Sequence, residues 1–212
     1  MIKGIAFDAG GVLLITKEID SEKEYLLRKY FPNICYREYK ESFRRFNEKA
    51  QTIKGYSLKR ALTECLKSLG VKNKKKIEYF TCRISKLRPE IVDGCKELFD
   101  YLKSKGIKII VLSDTHHTSL SAKRALNSID NKISRMIDFI ITSKDLGCKK
   151  PCFEIFKQLF KKTELNKEEI LFITDSEEEL LGARDSGIRT LFFSNEKEKS
   201  LIYLKSKIEK YL

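Results

Sequence analysis

The 212-residue chain is short of proline, with three, and of glycine, with ten. That excludes a collagen-like repeat and a proline-rich linker. No stretch approaches the roughly 20 consecutive apolar residues that span a bilayer. The apolar run at the N-terminus, Ile2 to Leu14, is interrupted by Lys3, Asp8 and glycines. A signal peptide wants an unbroken apolar core, so none is expected here. None of the six cysteines, Cys35, Cys65, Cys82, Cys95, Cys148 and Cys152, forms a C-x-x-C pair. That removes the signature of a zinc ribbon or a thioredoxin-type site. Cys148 and Cys152 are four apart, but two ligands alone make no zinc site. Scattered thiols suit a reducing compartment, and a cytoplasmic protein is expected.

What the chain has is apolar residues and positive charge. Hydrophobic residues make up 42%, too many for a disordered polyelectrolyte. A chain of this length buries a real core without disulfide or metal support. Lysine and arginine number 43 against 30 aspartate and glutamate, a net charge of +13. Such an excess fits a nucleic-acid binder, a membrane-surface protein or an enzyme for an anionic substrate. It is unevenly spread: residues 15–90 hold 20 Lys and Arg against 10 Asp and Glu, and the rest 23 against 20.

Two kinds of segment alternate. Ile2–Phe7, Ile107–Leu112, Ile137–Thr142, Ile170–Thr174 and Thr190–Ser194 are short apolar runs. Continuous apolarity at this length suits parallel strands covered on both faces. Helix-period segments separate most of them: Val92–Lys105, Ser119–Ser128, Phe153–Lys162 and Glu177–Ser186, with a terminal helix near Glu196–Leu212. Strand–helix alternation predicts an α/β fold with a Rossmann-like, doubly wound parallel sheet.

The stretch from Ile15 to Arg88 breaks that rhythm. It reads as helices near Ser21–Tyr30, Tyr36–Ala50, Ser57–Ser68 and Lys74–Lys86, the first started by a Ser21/Glu24 capping box. This is too long for a crossover and predicts a second domain. The expected division is an α/β core of residues 1–14 and 89–212 with a helical domain of residues 15–88 inserted in it. The insert's aromatics, Tyr25, Tyr30, Phe31, Tyr36, Tyr39, Phe43 and Phe46, are expected mostly in its own core.

In an open α/β sheet, ligands bind at the carboxyl ends of the strands. Following the strands in order come Asp8-Ala9-Gly10-Gly11, Ser113-Asp114-Thr115, Lys149-Lys150-Pro151 and Asp175-Ser176-Glu177. A carboxylate, a hydroxyl, a lysine and a second carboxylate thus recur at successive ends.

With these four motifs in this order, and with the stretch from Asp175 to Gly187, the chain resembles the haloacid dehalogenase superfamily from Ile2 to about Phe193. The insert resembles that family's helical cap of the first type. The resemblance implies that Asp8 is a nucleophile, that Ser113 hydrogen-bonds a phosphoryl oxygen, and that Lys150, the lysine directly before proline, offsets charge. Ser113, Asp114 and Lys150 would meet the substrate. Mg²⁺ would be held by Asp8, Asp175 and the backbone carbonyl of Gly10, a hard oxygen set that this ion favours. Glu179, one helical turn after Asp175, would orient the groups around it.

One position departs from the family. Its phosphatases carry a second aspartate two residues after the nucleophile, to protonate the leaving oxygen and activate water. Here that residue is Gly10, which has no side chain to do either. Asp114, His116 and His117 lie close in sequence to Ser113 and are candidates to substitute. The expected activity is a Mg²⁺-dependent phosphatase-like hydrolase acting on a small anionic phosphorylated substrate. The alternatives are a 2-haloacid dehalogenase-like hydrolase, since halide leaves without a proton, and a weakly active or non-catalytic phosphate binder. Neither a nucleic-acid nor a membrane partner is expected, and the oligomeric state is not legible.

Overall fold

The computed structural model describes residues 1–198 and 200–212. The chain opens with β1 (Gly4–Asp8) and β2 (Leu14–Ile15), then enters α1 (Lys17–Tyr30), α2 (Tyr36–Thr52), α3 (Leu58–Ser68) and α4 (Lys74–Lys86). It returns through β3 (Glu90–Ile91), α5 (Cys95–Ser104), β4 (Lys108–Ser113), α6 (Ser119–Ile129), α7 (Asn131–Met136) and β5 (Phe139–Thr142). It ends with α8 (Ser143–Leu146), α9 (Phe153–Thr163), β6 (Ile170–Thr174), α10 (Glu177–Asp185), β7 (Arg189–Phe192), α11 (Asn195–Glu198) and α12 (Ile202–Glu209).

The five expected apolar runs form one parallel sheet in the order β5–β4–β1–β6–β7. The winding changes direction at β1, which leaves a crevice at its carboxyl end. Successive side chains on a strand point to opposite faces. Ile5, Phe7, Ile109, Val111, Leu171 and Ile173 pack on one face. Ala6, Ile110, Leu112, Ile170 and Phe172 pack on the other, against Phe156 and Leu159 of α9. This is the doubly wound α/β architecture read from the sequence.

Helices α1–α4 enclose a separate apolar cluster around Leu27, Tyr39, Leu62, Leu66 and Phe80. The chain leaves and re-enters the sheet layer through the antiparallel pair of β2 and β3, Leu14 facing Ile91 and Ile15 facing Glu90. Of the aromatics, Phe31 and Tyr39 are buried, whereas Tyr25 is 55% exposed.

Several boundaries differ from the sequence reading. Helix α1 starts a turn early, at Lys17, so Ser21 is not its cap; the Ser21 hydroxyl instead donates back to the carbonyl of Lys17. Ser57 does cap α3, accepting the N–H of Arg60 at 3.2 Å. Helix α5 begins at Cys95 and not Val92, because Gly94 just before it takes a left-handed φ of 77° that no helix continues through. The single terminal helix expected over 196–212 is two pieces, α11 and α12, with Lys199 between them outside the described residues. Helices α7 and α8 were not expected. Their caps are Asp130, which accepts two N–H groups, and Thr142. Among the described residues no helix is long and apolar enough to cross a membrane.

Candidate active site

Asp8 is the last residue of β1, paired in register with Leu112 of β4. Ser113 therefore lies one residue further along the neighbouring strand, and Thr174 ends β6 on the other side. The sheet alone thus brings Asp8, Ser113 and the start of the Asp175 turn together.

Lys150 joins them from the loop before α9. Its ammonium contacts Asp8 Oδ1, lies 3.1 Å from Glu179 Oε2 and donates to the carbonyl of Leu112 at 3.1 Å. Its aliphatic stem is packed away, with 1% of the side chain exposed. Gly182 makes this position possible. Helix α10 lies so close to Pro151 that a Cβ at residue 182 would run into the proline ring. Lys149, its sequence neighbour, points instead to Glu48 of the insert, 3.7 Å away. Glu179 is fixed in turn by the Thr174 hydroxyl, at 2.7 Å.

The carboxylates outnumber this lysine. Burial pushes the Asp8 carboxyl up to about 7; Lys150 opposes that shift, and the negative charges of Glu179 and Asp175 add to it. Burial works against the Lys150 charge, but Asp8, Glu179 and Asp114 overcome it and hold the ammonium above its ordinary value. Asp114 is also raised by burial, although its Oδ1 accepts the Lys150 N–H at 3.2 Å.

That surplus of negative charge bears on a metal. Among the described residues no three His, Cys, Asp or Glu side chains gather as a ligand cluster. Two carboxylates and a backbone carbonyl are a smaller set, and they fit a hard cation that keeps most of its waters. Asp8 and Asp175 are close enough to repel. Gly11 brings the backbone against the Asp175 carboxylate: it takes a φ of 73°, and a Cβ there would run into that carboxylate. Gly10 beside it is exposed, and a Cβ at residue 10 would meet nothing within 4 Å. The turn after β1 thus leaves open space beside Gly10.

A cavity of about 650 Å³ separates this floor from the insert. Ala9, Gly10, Ser113 and Asp114 line it on the sheet side, and Phe43, Asn47 and Gln51 of α2 on the other. His116 and His117 also border it, with ring centroids 4.2 Å apart. Burial pulls His116 down to about 4, helped by His117, Lys144, Lys23 and Arg88. Both rings are held below the usual histidine range.

Sequence reasoning missed the residues that fix the loop after β4 and tie the insert to it. Ser143 is fully buried and bonds both the N–H and the C=O of Thr115. Gln51 donates its side-chain amide to the carbonyl of Asp114 at 3.3 Å. The Thr142–Asp145 capping pattern could have revealed helix α8, though not what Ser143 and Lys144 hold.

A family model for haloacid dehalogenase-like hydrolases matches residues 2–187. The chain belongs to that family. No curated protein matches this hydrolase in sequence. Solved structures do match its fold. A predicted HAD-like family hydrolase from Porphyromonas gingivalis is 20% identical with a TM-score of 0.67, over 99% of this chain and 98% of that one. The 2-haloacid dehalogenase from Pseudomonas syringae pv. Tomato DC3000 is 17% identical with a TM-score of 0.66, over 94% and 89%. A predicted phosphoglycolate phosphatase from Haemophilus somnus 129pt is 18% identical with a TM-score of 0.60, over 89% and 84%. At these identities the likeness is one of fold, and the hydrolase neighbours span both chemistries.

Proposed function

We propose that this haloacid dehalogenase-like hydrolase is a cytoplasmic, Mg²⁺-dependent phosphatase for a small anionic phosphorylated substrate. One observation carries the reading: Asp8 shares the single buried ammonium of Lys150 with Glu179 while Asp175 adds further negative charge. A halide-releasing site has no need of Asp175.

Asp8 attacks phosphorus, the P–O bond to the leaving group breaks, and an aspartyl-phosphate forms; water then cleaves it. Ser113 donates a hydrogen bond to a phosphoryl oxygen. Lys150 stabilises the charge that builds up between Asp8 and the transferring group. When bound, Mg²⁺ would be held by Asp8, Asp175 and the Gly10 carbonyl and would neutralise phosphoryl oxygens. Asp114 and Lys150 orient the substrate. The insert is the cap, residues 15–88, whose positive charge draws anions to the cavity.

Gly10 cannot protonate a leaving group, and His116, held near 4, carries no proton to give at neutral pH. The site therefore suits leaving groups that depart as anions. The assay is release of p-nitrophenol from p-nitrophenyl phosphate and of phosphate from acetyl phosphate, with Mg²⁺ and with EDTA. Mg²⁺-dependent turnover of either is expected. No turnover of both, with tight phosphate binding, would identify a non-catalytic binder; EDTA-insensitive halide release from a 2-halo acid would identify a dehalogenase.

A further inference from the structure

One lysine outside the floor is committed in an uncommon way. Lys144 Nζ donates to three main-chain carbonyls of the insert, those of Ala50 at 2.6 Å, Ile53 at 2.6 Å and Tyr56 at 2.7 Å. An ammonium has three donors, so all of them are spent on one short stretch at the carboxyl end of α2. The last carbonyls of a helix lack intrahelical partners and carry the negative end of its dipole, and a cation there answers both. Burial draws the Lys144 ammonium below its ordinary value.

Its neighbour Ser143 holds a different part of the molecule. The Ser143 hydroxyl accepts the N–H of Thr115 at 3.0 Å and lies 3.3 Å from its carbonyl. Two consecutive residues at the end of β5 therefore grip the loop after β4 with one side chain and helix α2 with the next. Phe43, Asn47 and Gln51 are spaced by four along α2, share one face of it, and line the cavity. The other ties between α2 and the core are weaker: Gln51 to the Asp114 carbonyl, and the half-exposed pair of Glu48 and Lys149.

We propose that Lys144 is a positioning residue that fixes this face of α2 as the wall selecting the non-reacting part of the substrate. The proposal rests on the phosphatase reading for the reacting part. A phenyl ring with two carboxamides on the same face suits a body with a flat apolar part and hydrogen-bonding groups at its edge.

The test compares Lys144→Met, which keeps the stem and loses the donors, with Lys144→Arg, which keeps the charge. The probes are p-nitrophenyl phosphate, which carries a flat aryl body beyond its phosphate, and acetyl phosphate, which carries only a small acyl group. Lys144→Met should raise KM for the aryl ester by about tenfold while kcat moves less than about threefold. For acetyl phosphate KM should move less than about twofold, and Lys144→Arg should recover part of the aryl-ester loss. Hydrogen exchange should quicken in Lys144→Met over residues 43–53, with α1 and α4 unchanged.

An equal loss on both probes overturns the selective wall, and unchanged exchange over 43–53 overturns the clamp. If the wild type turns over neither probe, calorimetric Kd values for inorganic phosphate and p-nitrophenyl phosphate replace KM, and the same ratio decides. A wild type that binds neither probe overturns the phosphatase reading and the wall with it, whatever the exchange shows of the clamp.

Discussion

The sheet floor and the helical insert solve different problems with different charges. On the floor, Asp8 and Glu179 contact one buried lysine, Asp114 acts on it too, and Asp175 adds negative charge beside Asp8, so the local balance is negative. Residues 15–90, which include the insert, carry 20 basic against 10 acidic side chains. Most of these face water; Lys74, Lys75 and Lys76 are all exposed. The floor's charges are few, buried and mutually fixed, so each changes chemistry when removed. The insert's positive charges are many and mostly solvated; apart from Lys23, Lys59 and Arg88, which line the cavity, they act by attraction at a distance. Chemistry and capture are thereby separable by mutation.

The sharpest break falls on the nucleophile. Asp8→Asn should lower kcat by about 10³-fold or more, measured as p-nitrophenol release with Mg²⁺. The same change should affect stability in the opposite sense. Because the folded-state pKa of Asp8 is raised to about 7, the native protein binds the proton more tightly than the unfolded chain does. The associated stability is complete below the unfolded value and is lost as pH rises through about 7. Thermal melts in EDTA should therefore show Asp8→Asn gaining on the wild type as pH rises from about 4 to about 8. A gain that shrinks with pH would contradict the assignment.

Next in size is the lysine. With 1% of its side chain exposed, Lys150→Met leaves buried carboxylates without their partner. A loss of about 3–5 kcal/mol is expected in urea unfolding. Third is the open space at Gly10. A Cβ at residue 10 meets no neighbour, and Gly10→Asp should raise turnover of a simple alkyl phosphate by about 10²-fold. The gain on p-nitrophenyl phosphate should be smaller, since that leaving group needs no proton. The smallest effect belongs to the insert: reversing Lys74, Lys75 and Lys76 to glutamate should lower kcat/KM about threefold at low salt and not at all in about 1 M salt. If salt leaves that difference unchanged, the insert's charge acts by contact and not by steering.

Much of this was legible in the chain itself. The apolar runs announced the sheet because strands buried on both faces have little room for polar residues, and the polar groups that end them marked the floor. Asp8 and Ser113 stand out because each ends a strand; Lys150 lies beyond α8, and only the resemblance to the family, with its lysine before proline, singles it out. The partnership of Lys150 with Glu179 was only half legible: the helical turn from Asp175 to Glu179 is local, but the approach of a lysine 29 residues upstream depends on Gly182 admitting Pro151. Lys144 was illegible for a deeper reason. Its partners are main-chain carbonyls, which every residue has, so no residue type at 50, 53 or 56 could signal them. Helix α1 misled because Ser21 and Glu24 imitate a cap, and nothing local reveals that the Ser21 hydroxyl turns back on Lys17.

The open space at Gly10 has a meaning for descent as well as for mechanism. Glycine and aspartate codons can differ by a single base, and a Cβ at residue 10 would meet nothing within 4 Å. A lineage carrying this turn can therefore pass between a proton-donating and a proton-free site without crossing a folding barrier.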